Sequence, residues 1–107
     1  MQARTHHVSI ERDIPATMRD GTILRADIYR PDDGGRYPTL LSRSPYNKTM
    51  TEEPSRKLAE RGYCVVEQDV RGRYASDGDF TPGFYSGEHF DAEDGYESVE
   101  WLASQGY

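Results

Sequence analysis

Cysteine is almost missing from this chain: Cys64 is the one thiol in 107 residues, which excludes an internal disulfide and an all-protein zinc site. Core-forming side chains are scarce as well. Leu, Ile, Val and Phe together number 17, below the roughly 20% under which a charged chain tends toward disorder. No apolar run approaches the ~18 residues that a membrane span needs. The opening stretch, Met1 to Ile10, carries Arg4, His6 and His7 without an apolar h-region, so it does not read as a secretory signal. With a single thiol, a reducing cytoplasmic setting is the expectation. Bases are absent after Arg73: residues 1–73 hold all 13 Lys and Arg with 11 acids, while residues 74–107 hold eight acids and no base. The resulting net charge of -6 argues against a nucleic-acid partner, whose affinity comes mostly from cations neutralising phosphates. An acidic tail of this kind predicts a solvated face or a basic partner surface elsewhere.

What is present argues for a fold. Eight Tyr, three Phe and one Trp oppose disorder, and the length allows one domain at most. His7 to Ile14 alternates, with Val8, Ile10 and Ile14 on one face, and predicts a half-buried strand. Arg19-Asp20-Gly21-Thr22 supplies turn chemistry. Beyond it Leu24, Ala26 and Ile28 alternate with Arg25, Asp27 and Tyr29, so the two runs predict an antiparallel hairpin. Pro31 to Gly35 is a loop, and Thr39 to Ser42 is a short strand closed by Pro45. Residues 45–53 read as a loop, followed by a short polar helix from Pro54 that stops at Gly62. Tyr63 to Val70 begins as a continuous apolar run, as a strand covered on both faces would.

Arg71 to Gly87 is rich in breakers and predicts a long loop. Glu88 to Gln105 predicts an amphipathic helix with Ala92, Tyr96, Val99 and Ala103 on its apolar face and Leu102 beside them. Strands alternating with helices predict parallel pairing through right-handed crossovers. The last helix has no strand to return to, so the sheet is expected to be unfinished within these residues.

Three stretches belong together. Met18-Arg19-Asp20-Gly21-Thr22 leads into Ala26-Asp27-Ile28-Tyr29-Arg30-Pro31, Ser44-Pro45-Tyr46-Asn47-Lys48 follows the third strand, and Gly62-Tyr63-Cys64-Val65-Val66-Glu67-Gln68-Asp69-Val70-Arg71-Gly72-Arg73 leads to Ser76-Asp77-Gly78-Asp79-Phe80. Asp94-Gly95-Tyr96-Glu97 and Glu100 to Gln105 complete the set. In order and spacing, from about Ile14 to Gln105, the chain resembles the Xaa-Pro dipeptidyl-peptidase-like branch of the α/β-hydrolases, the group that includes cocaine esterase and α-amino-acid ester hydrolases. The resemblance implies the N-terminal portion of an α/β-hydrolase fold: an antiparallel hairpin leading into a mainly parallel sheet with crossover helices. Residues 1–107 are then expected to be an N-terminal fragment of one catalytic domain, completed by the remainder of that domain.

The resemblance also implies a serine hydrolase acting on small esters or amides through an acyl-enzyme, with no cofactor and no metal. The family's nucleophile sits on a Gly-x-Ser-Tyr-x-Gly elbow after a helix like Glu88 to Gln105. None of the eight Ser residues lies in Gly-x-Ser-x-Gly, and Gly83-Phe84-Tyr85-Ser86-Gly87 has the wrong spacing. His6, His7 and His89 do not match a catalytic His that comes late in the chain. The triad Ser, Asp and His are therefore expected to be absent from these residues, which alone should be inactive.

One catalytic part is implied. In this fold an oxyanion donor comes from the loop after the third strand. Tyr46 lies there, and by resemblance its phenol is the side-chain donor. The residues by themselves leave a packing Tyr open as the alternative.

Blander readings are expected elsewhere. Asp69, Arg71 and Asp77 should hold their loop through ion pairs and turn bonds. Asp91, Glu93, Asp94 and Glu97 lack the alternating calcium-loop pattern and read as a helix-start cluster. His6 and His7 fall on opposite strand faces and cannot easily share a metal. Cys64 among valines reads as an inert buried thiol, and Trp101 as core. The substrate among esters, Xaa-Pro peptides and β-lactam side chains stays open, as do the substrate-binding residues. A truncated, non-catalytic hydrolase piece that uses the acidic tail on a basic partner is the other reading.

Overall fold

The computed structural model describes residues 5–78 and 91–105, with the side chains of Asp91 and Ala92 excepted. The elements run β1 (Val8–Thr17), β2 (Ile23–Pro31), β3 (Thr39–Ser44), α1 (Glu52–Glu60), β4 (Cys64–Asp69) and α2 (Asp91–Gln105). The strands form one sheet in the order β1-β2-β4-β3. It is mixed: β1 and β2 make the expected hairpin, β2 joins β4 antiparallel, and β3 and β4 are parallel across α1. No described helix is long and apolar enough to cross a membrane.

A thin supply of apolar residues suffices because they are concentrated on two strands. Every residue of β4 is buried. On one sheet face Ala26, Ile28, Cys64 and Val66 pack with Leu41, Ile14, Trp101 and Leu102, the last two from α2. On the other, Tyr29 and Val65 pack with Ala59 of α1 and with Val8 and Ile10. Trp101 also meets a smaller cluster of Ala16, Met18 and Leu24, so, half-buried, it packs against the core, where it was expected.

Val8, Ile10 and Ile14 do not share a face. The register gains one residue between Glu11 and Ile14, where Asp13 takes φ 54°. A single extra residue reverses which face every later side chain meets. Val8 and Ile10 therefore go to the α1 side and Ile14 to the α2 side. The alternation read in β2 fails in another way: Asp27 and Tyr29 are as buried as Leu24 and Ile28, because helices cover both faces of the sheet.

Residues 45–53 are not all loop. Lys48–Thr51 form a 3₁₀ turn, and α1 begins at Glu52 rather than Pro54. Pro54 is tolerated in the first turn, whose N–H groups have no intrahelical acceptor. The helix ends as expected at Gly62, φ 101°. There the Tyr63 N–H donates to Leu58 O and the Gly62 N–H to Ala59 O, the paired closure that favours glycine at this position.

The final helix is turned from its expected orientation. Tyr96 and Val99 are 67% and 56% exposed, while Asp94, Ser98, Trp101 and Leu102 face the sheet. Polar pairs attach it. Ser98 exchanges hydrogen bonds with the buried Gln68 side chain at 3.0 and 3.2 Å. Arg71 pairs with Asp94, and Arg19 with Glu93 and Glu97. Three acids of α2 thus find their cations within residues 1–73.

Candidate active-site edge

In an α/β sheet, ligands bind beyond the carboxyl ends of parallel strands. Here those ends are Ser44 of β3 and Asp69 of β4, which are register partners. The ladder continues one step past them, with the Val70 N–H donating to Ser44 O at 3.1 Å. Two loops leave this edge side by side. Arg73 from the second reaches back and donates through Nε to Pro45 O at 2.9 Å.

Tyr46 sits at this edge and is 60% exposed. Its N–H donates to Ser44 Oγ at 2.9 Å, and Pro45 before it restricts the backbone. Asn47 after it holds φ 87°, ψ 115°, outside the regions that side-chain-bearing residues usually occupy. The Asn47 carboxamide oxygen accepts from the Thr49 N–H at 3.1 Å and from Thr49 Oγ1 at 2.9 Å, starting the 3₁₀ turn.

Beneath the loop lies a charged cluster that sequence reasoning missed. The buried Lys48 ammonium stands 2.7 Å from Asp13, 3.2 Å from Asp27 and 3.9 Å from Asp69. Its backbone N–H donates to Asp69 Oδ1 at 2.8 Å. Asp27 also accepts from the Asp13 N–H at 3.1 Å and from Arg12 at 3.1 Å, and Arg12 continues to Glu52 at 2.8 Å. Burial by itself would lower the Lys48 ammonium, but hydrogen bonds to Asp13 and Asp27 outweigh it and hold the group above the usual lysine range. The faint sequence signal was Asp27, a charge inside a run that is otherwise strand-like; nothing in the spacing linked it to Asp13, Lys48 and Asp69.

The second loop is held as expected. Asp69 Oδ2 accepts from the Ala75 N–H at 3.1 Å, Arg25 pairs with Asp77 at 2.7 Å, and Arg71 binds Asp20, Thr22 and Asp94. Tyr74, φ 49°, lies under the Arg73 guanidinium, 5.2 Å from its ring centre.

The remaining candidates lie elsewhere. His6 is at the opposite end of the sheet, 3.5 Å from Asp33 and edge-on to Tyr37, beside an open cavity of about 200 Å³ lined by Thr5, His6, His7, Asp32 and Asp33. Cys64 is buried, and desolvation raises its thiol above the usual range. Among the described residues no group of three or more His, Cys, Asp or Glu is arranged to hold a metal ion. His89 and Gly83 to Gly87 lie outside the described residues.

A hairpin feeding a mixed sheet, helices on both faces and a proline-tyrosine loop at the end of β3 define a segment of an α/β-hydrolase. The X-Pro dipeptidyl-peptidase (S15 family) pattern matches residues 20–107, and the chain belongs to that family. It is 37% identical over 105 residues to the cocaine esterase of Rhodococcus sp. (strain MB1 Bresler), covering 92% of this chain and 17% of the esterase. A CocE/NonD family hydrolase from Staphylococcus aureus superposes with a TM-score of 0.75 at 30% identity, over 92% of this chain and 21% of that one. An α-amino acid ester hydrolase superposes with a TM-score of 0.74 at 25% identity, over 98% and 20% respectively. The chain thus spans about a fifth of the length of these relatives, corresponding to their N-terminal part.

Proposed function

We propose that this segment serves a serine hydrolase that cleaves small esters or amides through an acyl-enzyme, and that Tyr46 supplies one donor of its oxyanion hole. The observation that carries the reading is Tyr46 itself: a phenol at the carboxyl end of β3, with its own backbone N–H bonded to Ser44 Oγ and the carbonyl before it bonded to Arg73. A donor fixed in advance stabilises charge as it develops without reorganising at the moment of reaction. The relatives named cocaine esterase and α-amino acid ester hydrolase support an ester or acyl substrate. The nucleophile, its His and its Asp are assigned to the part of the domain outside residues 1–107.

The competing reading, a non-catalytic piece that offers its acidic tail to a basic partner, loses part of its motive, since Glu93, Asp94 and Glu97 are engaged by Arg19 and Arg71. A fluorophosphonate probe applied to a complete hydrolase carrying this segment should label one serine outside residues 1–107. Labelling within them, or none at all, would overturn the assignment. In the same protein Tyr46→Phe should lower kcat on the order of 10²- to 10³-fold, as loss of one oxyanion donor does; an unchanged kcat removes Tyr46 from the mechanism.

A further inference from the structure

Among the described residues, three that are not glycine have positive φ: Asp13, Asn47 and Tyr74. They come from three separate segments, yet all border the same buried carboxylates. Asp13 gives its N–H to Asp27 and its carboxylate to Lys48. Asn47 immediately precedes Lys48, which bonds Asp69 through its backbone N–H and approaches it through its ammonium. Tyr74 immediately precedes Ala75, whose N–H donates to the other oxygen of Asp69. Unfavourable backbone conformations persist only where their surroundings over-determine them, and they gather where geometry matters for function. Asp27 and Asp69 are wholly buried, and a buried carboxylate needs a cation and hydrogen-bond donors. The Lys48 ammonium is the cation common to both.

We propose that Lys48 is a positioning residue for the hydrolytic reaction: by joining Asp13, Asp27 and Asp69 under the loop, it holds Asn47 in its strained conformation and thereby aims Tyr46 at the oxyanion. The proposal rests on the reading of Tyr46 as an oxyanion donor. It assigns to this chain a residue that touches no substrate yet sets the geometry of one that does. It also gives the bulge in β1 a purpose, because the extra residue at Asp13 is what delivers both a carboxylate and an N–H to the cluster.

The test is a set of variants in a complete hydrolase carrying this segment, assayed with 4-nitrophenyl acetate. Lys48→Met should lower kcat on the order of 10²-fold, the scale of a misplaced catalytic group, with KM changed less than about 3-fold. In a Tyr46→Phe background the same substitution should cost less than about 3-fold, since two residues acting as one unit are not additive. Asp13→Asn keeps a residue that tolerates positive φ and removes only the exposed member of the cluster, so it remains folded if Lys48→Met does not. It should lower kcat about 10-fold with the same dependence on Tyr46. An unchanged kcat in whichever of the two variants folds, or a full loss retained in the Tyr46→Phe background, overturns the role of Lys48. If Tyr46→Phe alone leaves kcat unchanged, it is the oxyanion reading that fails, and that arm separates the two.

Discussion

Arg71 and Asp94 meet in a two-pronged ion pair: the guanidinium donates through Nε at 2.9 Å and through Nη2 at 2.8 Å to the two oxygens of a carboxylate that is 1% exposed. The third nitrogen, Nη1, reaches Asp20 and Thr22, both at 2.7 Å. One side chain therefore ties the loop after β4 to the hairpin turn and to α2. Paired forks of this kind are the strong end of the ion-pair range, and a broken buried pair leaves a charge without compensation. Arg71→Met should destabilise the chain by about 3–5 kcal/mol, read from urea unfolding followed by Trp101 fluorescence. A loss below about 1 kcal/mol would place the pair with ordinary surface bridges.

The exposed end of the same clamp sets an acid limit. The Arg71 hydrogen bond, helped by the Thr22 N–H, pulls the Asp20 carboxyl from 3.8 down to about 2. A carboxyl whose folded value is depressed binds its proton more readily when unfolded, so its stabilisation is complete above the unfolded value and is lost as pH falls toward the folded one. The difference in urea midpoint between the parent chain and Asp20→Asn should be constant above about pH 5 and should close between about pH 4 and pH 2. A difference that persists unchanged at about pH 2 would show that Asp20 acts through shape and not through charge.

These two pairs mark where the sequence was legible and where it was not. Strands and turns were readable because Leu24, Ala26 and Ile28 alternate, Cys64 to Val66 run continuously apolar, and Gly21 and Gly62 stand where the backbone needs positive φ. Tyr46 was singled out only through the resemblance carried by Ser44-Pro45-Tyr46-Asn47-Lys48, since the residues by themselves left a packing Tyr open. The bulge at Asp13 was invisible, since it is stabilised by an Asp27 carboxylate 14 residues away. Lys48 was passed over for the same reason: its three carboxylates come from β1, β2 and β4, and no spacing records that meeting. Long-range polar contacts decide both, and hydrophobic period carries no information about them.

Cys64 offers a probe of the sheet centre. It is packed with Ala26, Ile28 and Val66, and burial pushes its thiol up, which suppresses the nucleophilic thiolate. Ellman's reagent should therefore modify it at the rate of unfolding, with full reaction in denaturant. A rapid stoichiometric reaction in the native chain would mean that the sheet opens locally at β4. Cys64→Ala, which keeps a small apolar side chain, should abolish the signal while leaving the cooperative transition in place.

The orientation of α2 can be decided by ranking four substitutions. Hydrophobic period alone puts Tyr96 and Val99 against the sheet, whereas in the structure they are exposed and Ser98 and Trp101 face it. Tyr96→Ala and Val99→Ala should each change stability by no more than about 0.5 kcal/mol, as exposed substitutions do. Trp101→Ala removes an aromatic that bridges two core clusters and should cost about 3 kcal/mol. Ser98→Ala takes the acceptor from the Gln68 amide nitrogen, which is buried, and should cost about 1–3 kcal/mol. Ser98 is the informative member, because a helix docked through its apolar stripe would leave that hydroxyl in water, where its loss is nearly neutral. A measured order with Tyr96 and Val99 costly and Ser98 neutral would rotate the helix back to its apolar face. The expected order instead means that α2 is held by matched polar groups around one tryptophan, which is how a helix so rich in acids can cover a sheet.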